Sequence, residues 1–96
     1  MTTIAEKRHM GRVAQLGCAV CFRLGLGETP SELHHPRRGA GMAQRAKHMD
    51  VIPLCPEHHR GPTGVHGLGT KGFAEFYGFD EADLLADTKR RLDNEP

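Results

Sequence analysis

The stretch PLCPEHHRGPTGVH, residues 53–66, carries Cys55, His58, His59 and His66 within fourteen positions. A second histidine doublet, His34–His35 in LHHPRRG, lies about twenty residues upstream. The two doublets raise the question of whether one metal ion can account for every histidine. One ion cannot. The residues divide into a set that holds the fold and a set suited to chemistry.

The first set is read from spacing. Cys18-x-x-Cys21 and Cys55-x-x-His58 are two ligand pairs separated by 33 residues. A two-residue spacer lets both members of a pair wrap one ion, and two such pairs complete a tetrahedral Cys₃His zinc set. All three cysteines are used. A thioredoxin-like redox pair would want a strand before the motif and a helix after it, whereas here a helix precedes and a loop follows.

Composition explains why such a staple is needed. Leu, Val, Ile and Phe together make up 19 of 96 residues, close to the range of chains that do not fold. One domain of this size with so thin a core needs a metal or disulfides, and three cysteines cannot form a complete disulfide framework. The N-terminus MTTIAEKRHM is charged from Glu6 onward and lacks an apolar signal core. No run approaches membrane-spanning length. These features imply a cytoplasmic protein with reduced cysteines, where cysteine clusters favour metal. Charge is asymmetric: residues 1–74 hold 10 Lys/Arg against 5 Asp/Glu, and residues 75–96 hold 3 against 7. A basic body is compatible with a polyanion partner, and equally with ordinary solvated charge.

Local signals order the elements. Thr3 and Glu6 form a capping box for a helix with Met10, Val13, Ala14 and Leu16 on its apolar side, stopped by Gly17. CAVC follows as a tight knuckle and RLGLGETP as a loop. SELHH (31–35) is a short strand ended by Pro36. Residues 37–49 are a Gly-bearing basic loop, and DVIPLC (50–55) is a second strand. Pro56 opens a short helix that RGPTG cannot continue. Thr70 caps KGFAEFYG, with Phe73, Phe76 and Tyr77 on one side and Gly78 as stop. Asp80 caps a last helix with Leu84, Leu85, Thr88 and Leu92 inward, its acids early and its KRR late.

With His58 assigned to zinc, His34, His35, His59 and His66 remain, besides His9 and the ancillary His48. His9 reads as a surface or locally satisfied histidine. Strand neighbours point to opposite faces, so of His34 and His35 one becomes a ligand and the other a base, for which imidazole suits near-neutral pH. His59 can face a second site.

This pattern resembles the HNH (ββα-metal, His-Me finger) endonucleases, and most closely the phage Ref-like, RecA-dependent nucleases. The resemblance is carried by ELHHPRRGAGMAQRA and IPLCPEHHRGPTGVHGLG and covers residues 17–68. It implies an α+β fold: a small ββα-metal finger with a structural zinc knuckle, an N-terminal helix and a helical tail over 70–93, all in one nuclease domain spanning 1–96. It further implies that His34, His59 and His66 hold a catalytic divalent ion (Mg²⁺, Mn²⁺, Ni²⁺ or Zn²⁺), apart from the structural Zn²⁺ on Cys18, Cys21, Cys55 and His58. All-nitrogen ligation suits zinc, nickel, cobalt or manganese better than magnesium.

His35 matches the general base, and Asp50 stands where the family has an Asn that orients it. His66 departs too, with an H-x6-H spacing from His59 where relatives have H-x3-H. The glycines at 61, 64, 67 and 69 would let a loop return His66 to the ion through positive φ. Arg37, Arg38, Arg45, Lys47 and Arg60 are placed to contact phosphates. The implied activity is metal-dependent hydrolysis of DNA phosphodiester bonds in phage recombination or DNA processing. The implied partners are DNA and a RecA-type recombinase filament, in the cytoplasm of a phage-infected or bacterial cell. A non-catalytic zinc-dependent DNA-binding or recombinase-adaptor module stays open as the alternative.

Overall fold

The computed structural model describes residues 2–36 and 49–94. Its elements are helices α1 (Ile4–Gln15) and α2 (Ala19–Arg23), strands β1 (Glu32–His34) and β2 (Ile52–Leu54), and helices α3 (Pro56–Arg60), α4 (Val65–Tyr77) and α5 (Glu81–Asp93). The protein is a small α+β fold built on a two-stranded sheet.

Helix α1 starts where its capping box requires. Glu6 N–H donates to Thr3 Oγ1 at 3.0 Å, and Thr3 N–H donates back to Glu6 Oε1 at 2.8 Å. Gly17, at φ 85°, turns the chain out of α1, and Cys18 N–H then meets the Thr29 carbonyl at 3.1 Å. The CAVC knuckle is the first turn of α2, capped by the Cys18 sulfur, which accepts from Cys21 N–H at 3.4 Å.

The strands pair antiparallel, with Glu32 opposite Leu54, Leu33 opposite Pro53 and His34 opposite Ile52. Strand β2 is buried at every position, although Pro53 offers no N–H to the ladder. Ile52 and Leu54 join Cys18, Ala19, Val20, Cys21, Val65, Phe73 and Leu84 in the main core. Val51 belongs to a second cluster with Val13, Leu16 and Leu92. Burying Phe73 completely is worth about 1.5–3 kcal/mol on transfer grounds, a large share for so thin a core.

Helix α5 packs on β2, α2 and α1. Its start is capped reciprocally by Asp80 and Asp83, at 2.9 and 3.0 Å. Asp87, buried on α5, takes Arg23 of α2 at 2.7 Å. Arg91 donates to the Leu16 and Gly17 carbonyls, satisfying the C-terminal end of α1, and its guanidinium covers Phe22 at 4.2 Å.

Two expectations are corrected here. Helix α4 opens at Val65, a turn earlier than the Thr70 start expected, and breaks at Gly69 (φ 79°, ψ 163°), so a second helical piece runs on from Thr70 and the break falls at residues 68–70. Val65 is buried in the main core, and this anchors the extra turn. Phe76 does not share the inward side of Phe73 and Tyr77: it is 61% exposed while Phe73 is fully buried. No helix among the described residues is long and apolar enough to cross a membrane.

Candidate metal centres

Helices α2 and α3 both begin beside the sheet, and their first turns supply the first centre. Cys18 caps α2 and Cys21 sits one turn later; Cys55 caps α3 and His58 follows on its first turn. The His58 Nδ1 lies 3.6 Å from Cys18 Sγ, 3.6 Å from Cys21 Sγ and 3.3 Å from Cys55 Sγ, with Cys21 and Cys55 sulfurs 3.9 Å apart. A tetrahedral zinc with ordinary Zn–S and Zn–N bonds separates sulfur from nitrogen by about 3.5 Å and sulfur from sulfur by about 3.8 Å. The four residues therefore fit zinc without rearrangement. Burial pushes the Cys18 thiol up to about 12, against the lowering effect of backbone hydrogen bonds from Cys21 and Cys55. Burial also lowers the pKa of His58, opposed by Glu57. A shift in this direction favours the neutral imidazole that metal ligation needs.

The second centre draws on three elements. His34 ends β1, His59 lies on α3 and His66 lies on the first turn of α4; their donor nitrogens are all within 4.8 Å of one another. His59 Nε2 and His66 Nε2 are 3.2 Å apart, near the roughly 3.3 Å expected of two imidazole nitrogens on one tetrahedral zinc. The ring centroids stand 4.7–5.3 Å apart and are tilted or edge-on, not stacked. Burial is graded, with His34 buried, His59 half-buried and His66 exposed, so the cluster is open on one side.

Two carboxylates that sequence reasoning missed stand behind this cluster. Glu32 Oε1 accepts from His59 Nδ1 at 2.8 Å, and the same carboxylate takes Arg60 through Nη2 at 2.7 Å and Nε at 3.1 Å. The Arg60 and His59 hydrogen bonds, Arg60 first, hold the Glu32 carboxyl down to about 2. Glu81 Oε1 accepts from His34 Nε2 at 2.7 Å, with both side chains under a tenth exposed. The His34 bond lowers the Glu81 pKa, burial opposes it, and Thr70 and His66 add smaller lowering effects. Glu32 could have been noticed as a carboxylate two residues before His34, on the same strand face. Glu81 carried no local signal.

The return of His66 to the site works differently from the expected glycine loop. Gly61 and Gly64 have negative φ, −79° and −97°, and among the four glycines only Gly69 takes a positive one. Close approach is what demands glycine here. A Cβ on Gly64 would lie 2.6 Å from the Glu57 carbonyl oxygen and the His58 carbonyl carbon, and one on Gly67 would strike the Gly61 carbonyl oxygen. The Glu57 carboxylate accepts from the Thr63 hydroxyl at 2.7 Å, and Tyr77 Oη donates to the Thr63 carbonyl at 2.7 Å. The turn is thus pinned from both sides.

His35 follows β1 and is exposed, outside the histidine cluster. Asp50 pairs with Lys89 of α5 at 3.3 Å. His9 Nε2 bonds the Met49 carbonyl at 2.9 Å, a structural tie between α1 and the segment entering β2. Arg37, Arg38, Arg45, Lys47 and His48 lie outside the described residues.

Over residues 2–93 the chain matches the family described as "Recombination enhancement, RecA-dependent nuclease". The protein belongs to this RecA-dependent nuclease family. The match spans both centres and all of α5, so the family extends well beyond the cysteine and histidine motifs. No curated protein matches the chain. Within that family match, the cysteine cluster is largely buried and the histidine cluster is open on one side.

Proposed function

We propose that this RecA-dependent nuclease family member is a metal-dependent DNA endonuclease of the HNH type, hydrolysing phosphodiester bonds with His35 as general base. The observation that carries the reading is the convergence of His34, His59 and His66 from three elements within 4.8 Å, beside an exposed histidine. The order β1–β2–α3, with His34 and His59 facing each other across it, supports a ββα-metal finger.

His34, His59 and His66 would hold one divalent ion, which when bound offsets the negative charge that grows on a phosphate in the transition state. The rest falls to the chain's own groups. His35 Nδ1 or Nε2 takes the proton of the attacking water, a task imidazole performs well near neutral pH. His34 and His35 are consecutive at a strand end, so the doublet presents one ring to the buried cluster and the other to solvent. Asp50, two residues before β2 and paired with Lys89 at 3.3 Å, would give up that partner to accept from the N–H of the base. Arg60, two-thirds exposed, and the basic segment holding Arg37, Arg38, Arg45 and Lys47 contact phosphates and position the strand without reading its sequence. DNA is the substrate and a RecA-type filament the partner of this reading.

Nicking of supercoiled plasmid across a panel of divalent ions is the test. The expected result is ion-dependent nicking by the wild type and about 10²–10⁴-fold less by His35→Ala. DNA binding with no nicking under any ion would instead identify a non-catalytic zinc-dependent DNA-binding or recombinase-adaptor module.

A further inference from the structure

The acidic C-terminal helix reads from sequence as part of a helical tail outside the metal-binding core, yet its first residue reaches the second centre. Glu81 is 6% exposed and lies 47 residues from His34, whose Nε2 it receives at 2.7 Å. A buried carboxylate without a partner is costly, so this contact has a function that must offset its desolvation. Capping does not supply one. The start of α5 is already capped in both directions by Asp80 and Asp83, and neither of those bonds involves Glu81.

We infer that Glu81 is a positioning residue for the second metal centre, fixing His34 so that Nδ1 presents its lone pair to the ion. The inference rests on the reading of His34, His59 and His66 as ion ligands. In a neutral imidazole one ring nitrogen donates and the other accepts. A carboxylate that accepts from Nε2 places the proton there and leaves Nδ1 bare. His59 is arranged the opposite way: its Nδ1 donates to Glu32 and its Nε2 faces His66. Both rings thus have a carboxylate behind them, the arrangement by which proteins orient metal-binding histidines and raise their basicity.

The two carboxylates are not equivalent. Glu32 is about a third exposed and shares its charge with Arg60, whereas Glu81 is buried against His34 with Thr70 beside it. Glu81 therefore places more of its negative charge behind its histidine. It also joins the start of α5 to β1, across 47 residues of sequence. The tail belongs to the centre.

The test is a Co²⁺ titration of the full chain with its cysteine-bound zinc in place, read by visible absorption, with zinc content and thermal melting measured alongside. Glu81→Ala is expected to weaken second-site Co²⁺ binding by about 10- to 100-fold with one zinc per chain retained. Glu81→Gln, which keeps an acceptor for the same N–H, is expected to recover part of that loss. Wild-type Co²⁺ affinity in Glu81→Ala overturns the inference. Where Glu81→Ala loses its zinc or its fold, Glu81→Gln decides: several-fold weaker Co²⁺ binding with zinc intact supports the inference, and unchanged binding overturns it. Wild-type and His59→Ala chains separate the two levels of the argument. If the wild type takes up no second ion, or His59→Ala leaves uptake unchanged, the histidine centre itself fails and the role of Glu81 fails with it. If His59→Ala abolishes uptake while both Glu81 variants bind normally, only the role of Glu81 is lost.

Discussion

The cysteine centre and the histidine centre share helix α3, yet they are built on different principles. In the first, two short-range pairs cap two helices, and two of its cysteines are part of the main core with Ile52, Leu54, Phe73 and Leu84. Its four side chains would complete a tetrahedral ion and leave no open position, as structural zinc sites do. In the second, single residues arrive from β1, α3 and α4, carboxylates stand behind two of them, and the outer ligand is exposed. Adjacent helical residues point about 100° apart, which is how His58 serves one centre and His59 the other. On the proposed reading, the closed centre is a condition of folding, while the open one is assembled by a fold that already exists.

The comparison is most exposed at Cys18. Cys18→Ala is expected to cost most of the folding free energy, since a structural zinc contributes on the order of 10 kcal/mol; a variant that melts like the wild type by circular dichroism would falsify the division. The same centre carries a pH signature. With the Cys18 thiol raised to about 12 in the ion-free protein, zinc must displace a proton that is still bound at neutral pH. Zinc affinity is therefore expected to fall as pH is lowered, by about tenfold per pH unit for each proton displaced, in a competition titration between pH 8 and pH 6.

The histidine centre should behave in the reverse sense, with chemistry lost and fold kept. His35→Ala is expected to reduce nicking by about 10²–10⁴-fold without moving the melting temperature or either metal content. Equal loss of the second ion from His35→Ala and His34→Ala would show that the doublet is not divided between base and ligand.

Gly64→Ala probes the turn that connects the two centres. Its Cβ has nowhere to go against Glu57 and His58, so a destabilisation of about 1–3 kcal/mol is expected in chemical denaturation, together with weaker second-ion binding. The smallest effect is expected at His66. His66→Ala should lower second-ion affinity by about tenfold or more while zinc content and stability stay at wild-type values. Unchanged titration curves would remove it from the centre.

Much of the architecture was legible in the residues because the signals act within four positions. The Thr3–Glu6 box and the Asp80 cap set the starts of α1 and α5, Pro56 opened α3, and Gly78 in the left-handed region ended α4. The Cys-x-x-Cys and Cys-x-x-His spacings pointed to one cluster for the same reason: each pair is local, and only the joining of two pairs is long-range. The inward residues of α5 were also legible, with Leu84, Thr88 and Leu92 buried at helical spacing. Phe76 shows the limit of that method. Its spacing from Phe73 fits an apolar face, but which side of α4 meets the core depends on what packs there, and Phe76 is left in solvent.

Short-range constraints (capping, proline and the spacing of the cysteine motif) were enough to foretell the grouping of Cys18, Cys21, Cys55 and His58 and the ends of most elements. Tertiary structure alone decided how the histidine centre is completed. His66 arrives because Val65 is buried and because Gly64 and Gly67 let backbone press on backbone. Glu32 and Glu81 become partners of His59 and His34 across 27 and 47 residues. No window of sequence contains such contacts. They exist only once the core has brought β1, α3, α4 and α5 to one place, where burial turns a distant carboxylate into the nearest acceptor.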